Sequence, residues 1–300
     1  MPGKQNEKIR EVRTLLSSEP RRRIFIDDTS PYGHYAPSSV PALIMSLTRV
    51  LGTQWLAKRM IFLLRRLALI GMGKCVDTVL FGARLRLYTS GNLSEKRALF
   101  SPKLFDAEER MALSKLAAAD AVFIDVGANV GLYSFSVAES FKHFKGMKII
   151  AVEAQPQIAR RLKKNCKLNP ELNIHVAEVG ISDAKGIMSM ALDMKNIGQT
   201  RLLKQGEEAS TETIDVPVMS LMDLITEHQF TRVDGLKIDV EGHEEAVLLP
   251  FLETAPDALL PKLIVIEDNR SQWDGDVIAA AAQRGFMLTR ETRLNLMLTR

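Results

Sequence analysis

The sequence is poor in cysteine: Cys75 and Cys166 are the only two in 300 residues, and they form no C-x-x-C pair. So few cysteines exclude a disulfide framework and favour a reducing compartment, with both thiols serving as small buried side chains. Long apolar runs are also missing. In the segment 41–75, charges interrupt every window of about 20 residues that a spanning helix needs, and the first 40 residues contain no apolar stretch of a signal peptide. We therefore expect a cytoplasmic protein.

Two common ligand-binding patterns are absent as well. Four of the five histidines show no spacing typical of metal ligands; they are His34, His143, His175 and His228. The Gly-rich stretch from Phe123 to Gly131, FIDVGANVG, does not complete the dinucleotide motif G-x-G-x-x-G, because Asn129 and Leu132 stand where that motif has glycine. NAD and FAD are therefore disfavoured as ligands.

What this stretch does contain is a strand, an acidic turn and a helix. An apolar strand is predicted over residues 121–124 and a helix over 132–140. Gly127 and Gly131, on either side of Asn129, let the backbone approach a ligand closely. The charge of Asp125 suits a cationic or hydroxyl-bearing ligand better than a phosphate, which favours S-adenosylmethionine (SAM). The alternative is a turn that binds nothing, although ligands of open α/β sheets sit at the carboxyl ends of strands.

The next two predicted strands carry polar residues at the same end. The apolar run 148–154 contains Glu153 near its end, where an acidic residue is placed to accept hydrogen bonds from the ribose hydroxyls of an adenosine ligand. Pro156 then begins a helix that runs to about residue 168. Residues 173–182 read as a third strand, and Ser182 and Asp183 at its end join the candidate cofactor-binding residues.

These motifs resemble the FkbM-type SAM-dependent methyltransferases. The resemblance covers residues 91–269 and rests on FIDVGANVGLYSF, AVEAQP, LKKNCKLN, VGISDAKG, NIGQTRLL and LKIDVEGHE, in the family's order. It implies an α/β fold, the class I methyltransferase Rossmann-like doubly wound sheet, mostly parallel with an antiparallel strand in a C-terminal hairpin. It also implies SAM as cofactor and an acceptor hydroxyl on a glycan, a glycolipid or a polyketide-like metabolite. In the family an acidic residue of the approach segment often lies near the cofactor, and Glu109 is the candidate here.

The catalytic candidates are Asp239, Glu241 and His243, which follow the fourth predicted strand. An alcohol acceptor must lose a proton, so a base within hydrogen-bond reach is expected; Asp239 is the first candidate and His243 the second. Asp239 could instead bind the SAM amino group or cap the next helix, and His243 could be a surface residue.

Other functions remain open at this stage. Asp239 with Asp268 and Asn269 matches the ligand types of the Mg²⁺-dependent catechol-type O-methyltransferases. A catalytically inactive SAM-binding scaffold is a further alternative. A nucleic-acid methyltransferase is disfavoured, because D-V-E-G follows strand four instead of N-P-P-Y or a Pro-Cys pair.

Charge divides the chain unevenly. Residues 1–118 hold 20 basic and 10 acidic residues, whereas residues 119–300 hold 20 and 26. We predict a flexible basic arm over residues 1–40 and an amphipathic helix, a hairpin and a lead-in helix over 41–118. The methyltransferase domain is predicted over 119–300. The hairpin, residues 76–90, is expected to cap the mouth of the domain, and Asp106 to cap the lead-in helix with Glu109 in a capping box.

The basic segment 41–75 contains six basic residues and no acidic residue. It could pack on the domain, form a homo-oligomer contact or lie on an anionic membrane surface. Nucleic acid is an unlikely partner, because aromatic residues are not interleaved with the basic ones.

Overall fold

The computed structural model describes residues 25–51, 55–193, 200–203, 207 and 211–300. Most of the predicted basic arm, including Arg21 to Arg23, and Gln199 of the NIGQTRLL segment lie outside this range. The strands are β1 (Cys75–Leu80), β2 (Ala83–Tyr88), β3 (Val122–Val126), β4 (Lys148–Val152), β5 (Ile174–Ala177), β6 (Gly180–Ser182), β7 (Gly186–Ala191), β8 (Arg201–Leu202), β9 (Thr213–Ser220), β10 (Gly235–Ile238), β11 (Leu263–Glu267), β12 (Met287–Glu291) and β13 (Asn295–Thr299).

The α-helices lie mostly between strands, as expected for an alternating α/β chain. They are α1 (Ser39–Val50), α2 (Trp55–Ile70), α3 (Leu93–Phe100), α4 (Ala107–Ser114), α5 (Leu132–Phe141), α6 (Pro156–Leu168), α7 (Leu221–Glu227), α8 (Glu244–Thr254) and α9 (Val277–Gln283). Within the described residues, no helix has both the length and the apolar character needed to cross a membrane.

The central sheet has seven strands in the order β12-β13-β11-β10-β3-β4-β5. The strands from β11 to β5 in this order are parallel, and β13 pairs antiparallel with both β11 and β12. The predicted fold class, a doubly wound sheet of the class I methyltransferases with a C-terminal antiparallel hairpin, is therefore confirmed. The strand order reverses between β3 and β10, so the carboxyl ends of these two strands flank the position where open α/β sheets bind ligands.

Each face of the sheet has its own apolar core. One core contains side chains of α5 and α6 together with the N-terminal extension, and the other contains side chains of α7, α8 and α9. Because both faces of the parallel strands are buried, these strands are continuously apolar, as in the run Val122 to Ile124.

The third predicted strand is two strands in two sheets, so that prediction was wrong in part. β5 pairs with β4 in the central sheet, whereas β6 pairs with β9 in a separate four-stranded sheet of order β6-β9-β7-β8. The sequence predicts added strands of the central sheet at residues 186–193 and 213–220. Strands β7 and β9 form there, but they belong to this second sheet. The second sheet separates because it has its own small core, formed by Met190, Leu192, Leu202, Ile214, Val216 and Val218.

The basic segment 41–75 forms two helices, α1 and α2, rather than the single helix predicted. The sequence between them contains Gly52, which is a poor helix former. Met45 of α1 and Ile61 and Ala68 of α2 are buried in the same core as α5 and α6. The inner faces of both helices are therefore part of the folded structure.

The hairpin of β1 and β2 lies along α6 and does not cap the mouth of the domain, which corrects that prediction. The backbone N–H groups of Arg84 and Arg86 donate to the side-chain carbonyl oxygens of Asn169 and Asn165 at 2.8 Å each. These amides satisfy the open edge of β2 and hold the hairpin against the helix. The element that reaches the mouth is α3, directly after the hairpin.

Candidate active site

The carboxylate of Asp125 is fully buried beneath the Gly-rich turn. Its Oδ2 accepts hydrogen bonds from the backbone N–H of Ser134 at 3.1 Å and from the Ser134 hydroxyl at 2.6 Å, which anchors the first turn of α5. Its Oδ1 accepts no hydrogen bond from the described residues and lies 3.6 Å from Nζ of Lys237. Burial raises the pKa of Asp125, and the nearby ammonium group of Lys237 only partly offsets this effect.

Lys237 connects the ends of β3 and β10. Its buried ammonium group donates to the carbonyl oxygen of Gly127 at 3.1 Å and lies 3.1 Å from the carboxylate of Asp239. Burial alone would lower the pKa of Lys237, but the carboxylates of Asp239 and Asp125 raise it above its usual value. A permanently charged lysine therefore fixes the Gly-rich turn relative to the end of β10.

Gly127 is required where these two strands meet. It has a φ of +72°, and a Cβ placed on it would lie 1.8 Å from the backbone carbonyl oxygen of Asp239. That neighbour is backbone and cannot move aside as a flexible side chain can. Only glycine fits this contact, so the turn and the end of β10 form one rigid unit.

One side of this unit lines a cleft of about 660 Å³ that opens to solvent. Glu153 lies at its edge, where Oε2 accepts from the backbone N–H of Asn129 at 2.9 Å and Oε1 from that of Gln155 at 2.8 Å. Burial raises the pKa of Glu153 to about 7 even though both hydrogen bonds favour the ionised form. Apolar side chains form the walls of this cofactor cleft; they are Val126, Val152, Ile158, Val179, Ile181, Met190 and Leu202.

The other side of the unit lines a second, acidic cleft. It shares Gly127, Asn129, Asp239 and Glu241 with the cofactor cleft, so the two clefts adjoin at these residues. Its further charged residues are Arg97, Asp106, Lys237, Glu267 and Arg293.

Burial and mutual repulsion raise the pKa values of the acidic cleft. The pKa of Glu241 rises to about 8, through burial and then the charge of Asp239. The pKa of Glu267 rises to about 9 for the same two reasons. Burial also raises the pKa of Asp106, although Arg97 lies 3.2 Å away. The cleft therefore holds carboxyl groups that exchange protons near neutral pH and above, which is a property of acid–base sites.

The structure brings together five of the predicted site residues: Gly127, Asn129, Glu153, Asp239 and Glu241 line one or both clefts. Asp125 and Gly131 lie directly behind this surface. Gly131 precedes α5 with a φ of +90°, and a Cβ there would lie 2.6 Å from the Leu162 side chain.

Ser182, Asp183 and His243 lie elsewhere. They line a groove between the second sheet and α8, where Nε2 of His243 is 2.9 Å from the Ser182 hydroxyl. None of the three lines the cofactor cleft or the acidic cleft. Their roles in cofactor binding and catalysis therefore remain predictions.

Glu109 is buried and joins α4 to the C-terminal hairpin. Its Oε1 accepts from the Thr292 hydroxyl at 2.5 Å and from the Asn295 amide at 3.0 Å. The predicted capping box is wrong, because Asp106 has a left-handed φ of 41° and caps no described N–H of α4. The Asp106 carboxylate instead pairs with Arg97 and lines the acidic cleft.

The three residues considered as magnesium ligands each have another partner in the structure. Asp268 is held by Arg270 at 2.8 Å, and the Asn269 amide donates to Glu267 at 2.7 Å. Asp239 is paired with Lys237. Across the described part of the chain, no group of three or more His, Cys, Asp or Glu residues has the arrangement of a metal site.

Several residues of the acidic cleft were not identified from the sequence. Lys237 is a charged residue inside an otherwise apolar strand, and this unusual position in the sequence could have identified it as a site residue. Tyr133 lies on the cleft wall with a buried hydroxyl that has no hydrogen-bond partner among the described residues. Glu267 is the last residue of β11, and Arg97 carries no local signal in the sequence.

The residues present fit the cofactor that the resemblance implies. SAM carries two ribose hydroxyls, an adenine ring, an ammonium group and a sulfonium group. Glu153 offers a buried carboxylate for the hydroxyls, and the apolar walls of the cofactor cleft suit adenine. Asp239, the carboxylate paired with Lys237, provides negative charge for the cationic end. The helix N-terminus of α5 carries no phosphate-binding glycine motif, in agreement with a ligand that lacks pyrophosphate.

The chain is similar to known proteins in sequence and in fold. The family model of the methyltransferase FkbM domain matches residues 125–293. Methyltransferase sdnD of Sordaria araneosa is 26% identical over 196 residues, covering 56% of this chain and 74% of that protein. The AMB antimetabolite synthetase AmbE of Pseudomonas aeruginosa is 27% identical over 186 residues, which cover 50% of this chain but only 8% of that protein. The crystal structure of methyltransferase FkbM from Methylobacillus flagellatus KT has a TM-score of 0.38 at 12% identity, over 69% of this chain and 54% of that one.

The matched region begins at Asp125 and ends at Arg293. It contains the Gly-rich turn, Glu153, Asp239 and Glu241, whereas α3 and Asp106 precede it. Since the family model matches more than half of the chain, the protein belongs to the FkbM methyltransferase family, and SAM is the cofactor that this membership implies.

Proposed function

We propose that this protein transfers a methyl group from SAM to a hydroxyl oxygen of a glycan, a glycolipid or a polyketide-like metabolite. The observation that carries the proposal is that the two clefts share Gly127, Asn129, Asp239 and Glu241 in their walls. A cofactor held at Glu153 would present its cationic end beside carboxylates that face a separate opening. That opening is where the acceptor would enter.

The chemistry requires an in-line displacement. SAM supplies a methyl group that is already activated by the sulfonium. A new O–CH₃ bond forms as the C–S bond breaks, the electron pair of that bond stays on sulfur, and the acceptor hydroxyl loses its proton. The protein must therefore align the two reactants and accept one proton.

Glu241 is the candidate for the proton acceptor. Its pKa of about 8 lies close to the pH at which a general base is most effective. It follows Asp239, whose carboxylate is 37% exposed on the cleft and is oriented by Lys237. We assign Asp239 to positioning the reactants, and the carboxyl groups of the acidic cleft to hydrogen bonds with a hydroxyl-rich acceptor.

The experiment is a methyl-transfer assay with isotopically labelled SAM against a panel of glycan, lipid-linked and polyketide acceptors, with mass spectrometry to locate the label. We expect a methyl ether product and a rate that rises with pH through about 8. Glu241→Gln should remove this pH dependence, and Glu253→Gln, an exposed residue of α8, should leave it unchanged. Methylation at nitrogen or carbon would contradict the proposal. SAM binding without turnover on any acceptor would favour an inactive scaffold instead.

A further inference from the structure

The outer faces of α1 and α2 form an exposed apolar surface. On α1, Val40, Leu43, Leu47 and Val50 are spaced by three, four and three residues and so lie on one face of the helix. All four are at least 49% exposed. On α2 the exposed apolar side chains are Trp55, Met60, Phe62, Leu63, Leu67 and Ile70, the last of which is 81% exposed. Such a concentration is unusual for a surface that faces only water.

The two helices are held firmly against the rest of the protein. Met45, Thr48, Ile61 and Ala68 point inward and are buried. Arg49 also anchors α1, because its Nε donates to the carbonyl oxygen of Leu99 at 3.0 Å and its Nη2 to the Thr78 hydroxyl at 2.9 Å. The outward apolar side chains are therefore not the inner face of a detached helix.

The segment that carries this surface has only basic charged residues. Between residues 41 and 75 there are six basic residues and no acidic residue. Two of the arginines lie over exposed aromatic rings: the guanidinium carbon of Arg59 is 4.2 Å from the ring centre of Trp55, and that of Arg65 is 4.9 Å from that of Phe62. Arg66 is exposed on α2, and Lys74, beyond the end of that helix, is exposed with its Nζ 4.9 Å from the ring centre of Phe25.

We propose that α1 and α2 form a docking surface for a bilayer of anionic phospholipids. Apolar side chains would enter the boundary between headgroups and acyl chains, and the arginines would pair with lipid phosphates, which is how amphipathic helices bind such an interface. The absence of acidic residues in the segment removes repulsion from the anionic surface. An uncharged apolar partner would need none of these basic residues.

The surface is also connected to the acidic cleft. Arg49 of α1 contacts the carbonyl oxygen of Leu99 in α3, and α3 contributes Ser94 and Arg97 to the wall of that cleft. Helix α3 therefore links the docking surface to the wall of the acceptor opening, which suits a lipid-linked acceptor. This last point rests on the proposed function, whereas binding of the bilayer does not.

The test is co-sedimentation of the full chain with vesicles of phosphatidylcholine alone and with vesicles enriched in phosphatidylglycerol. We expect binding to the anionic vesicles only, and loss of binding in high salt because exposed charges are then screened. Arg59→Gln with Arg66→Gln should weaken binding roughly 30-fold, from about 1 kcal/mol for each basic residue near the surface. Phe62→Ser with Leu63→Ser should weaken it by roughly tenfold or more for each side chain, in proportion to the apolar area removed from water.

Met287→Ser is the matched control, because Met287 is 66% exposed on β12, outside this surface. It should bind anionic vesicles as the unaltered protein does, and an unchanged unfolding midpoint shows that each variant is folded. The proposal is overturned if anionic vesicles do not bind the protein, or if binding survives both pairs of substitutions. Light scattering supplies a third test: a dimer that Phe62→Ser and Leu63→Ser dissociate would assign the surface to a second copy of the chain.

Discussion

The affinity for SAM should depend on pH through Glu153. The pKa of this buried carboxyl lies near 7 in the absence of ligand, whereas ribose hydroxyls require its ionised form as hydrogen-bond acceptor. The apparent dissociation constant is the intrinsic one divided by the ionised fraction. At about pH 6 roughly one tenth of Glu153 is ionised, and at about pH 8 nearly all of it. The affinity for SAM should therefore be roughly tenfold lower at pH 6 than at pH 8.

Substitution of Glu153 by glutamine separates this effect from others. The variant keeps the shape of the side chain but loses the charged acceptor, a change of about 1.5–3 kcal/mol that corresponds to roughly 10–150-fold weaker binding at pH 8. The pH dependence should disappear with it. Glu253→Gln serves as the control.

Titration calorimetry with SAM and with S-adenosylhomocysteine is the assay. Both ligands carry the ribose, but only SAM carries the sulfonium, so a dependence that arises at Glu153 must be the same for both. A dependence seen with SAM alone would place its origin in the acidic cleft, at Glu241 or Glu267. An affinity for both ligands that does not change between pH 6 and 8 would refute the reasoning.

Three further predictions test the framework of the site. Gly127→Ala should abolish SAM binding in calorimetry, because the new Cβ would lie 1.8 Å from a backbone oxygen. Gly186→Ala is the control and should bind SAM normally, because Gly186 has open space around it. Equal affinity in the two variants would mean that the turn is misplaced. Glu95→Ala should lower the free energy of unfolding by about 3–5 kcal/mol in denaturant titration, since it leaves the buried Arg161 guanidinium, now 2.9 Å from Glu95, without its ion pair. Removal of the exposed partner Glu171 from Arg84 should cost under about 1 kcal/mol, and similar losses for the two would argue against a buried pair. Glu267, with a pKa raised to about 9, stabilises the fold only while protonated, so its contribution is complete below about pH 4.5 and is lost as the pH rises through 9. Glu267→Gln should therefore reduce the fall in the free energy of unfolding over that range. An identical pH profile for the variant would contradict the raised pKa.

The central sheet could be predicted from the sequence because its signals are local. Continuous apolar runs that end in glycine or acidic residues indicate β3, β4, β10 and β11, whereas the C-terminal hairpin was expected from the family resemblance. The residues at the carboxyl ends of these strands followed directly, which is why Gly127, Glu153 and Asp239 were found.

The second sheet and the positions of Lys237 and His243 could not be predicted, because they depend on pairing between distant segments. Nothing in the runs near residues 186–193 and 213–220 distinguishes an added strand of the main sheet from a strand of a separate one, since only the partner differs. Lys237 acquires its position because β10 pairs with β3, which places it in register beside Asp125. His243 follows Glu241 and Gly242, both with positive φ, and the resulting change of direction carries its ring to Ser182.

The hydrogen bonds of Glu109 set a lower limit on the size of a working fragment. This carboxylate comes from the lead-in helix, yet its partners Thr292 and Asn295 belong to the last hairpin of the chain, more than 180 positions later. A shortened protein that starts after α4 would remove the acceptor of a buried amide and would also lose Leu113, a fully buried side chain of the core. Anyone who wishes to transplant this catalytic unit, or to fuse it to another enzyme, must therefore carry α4 along with the sheet.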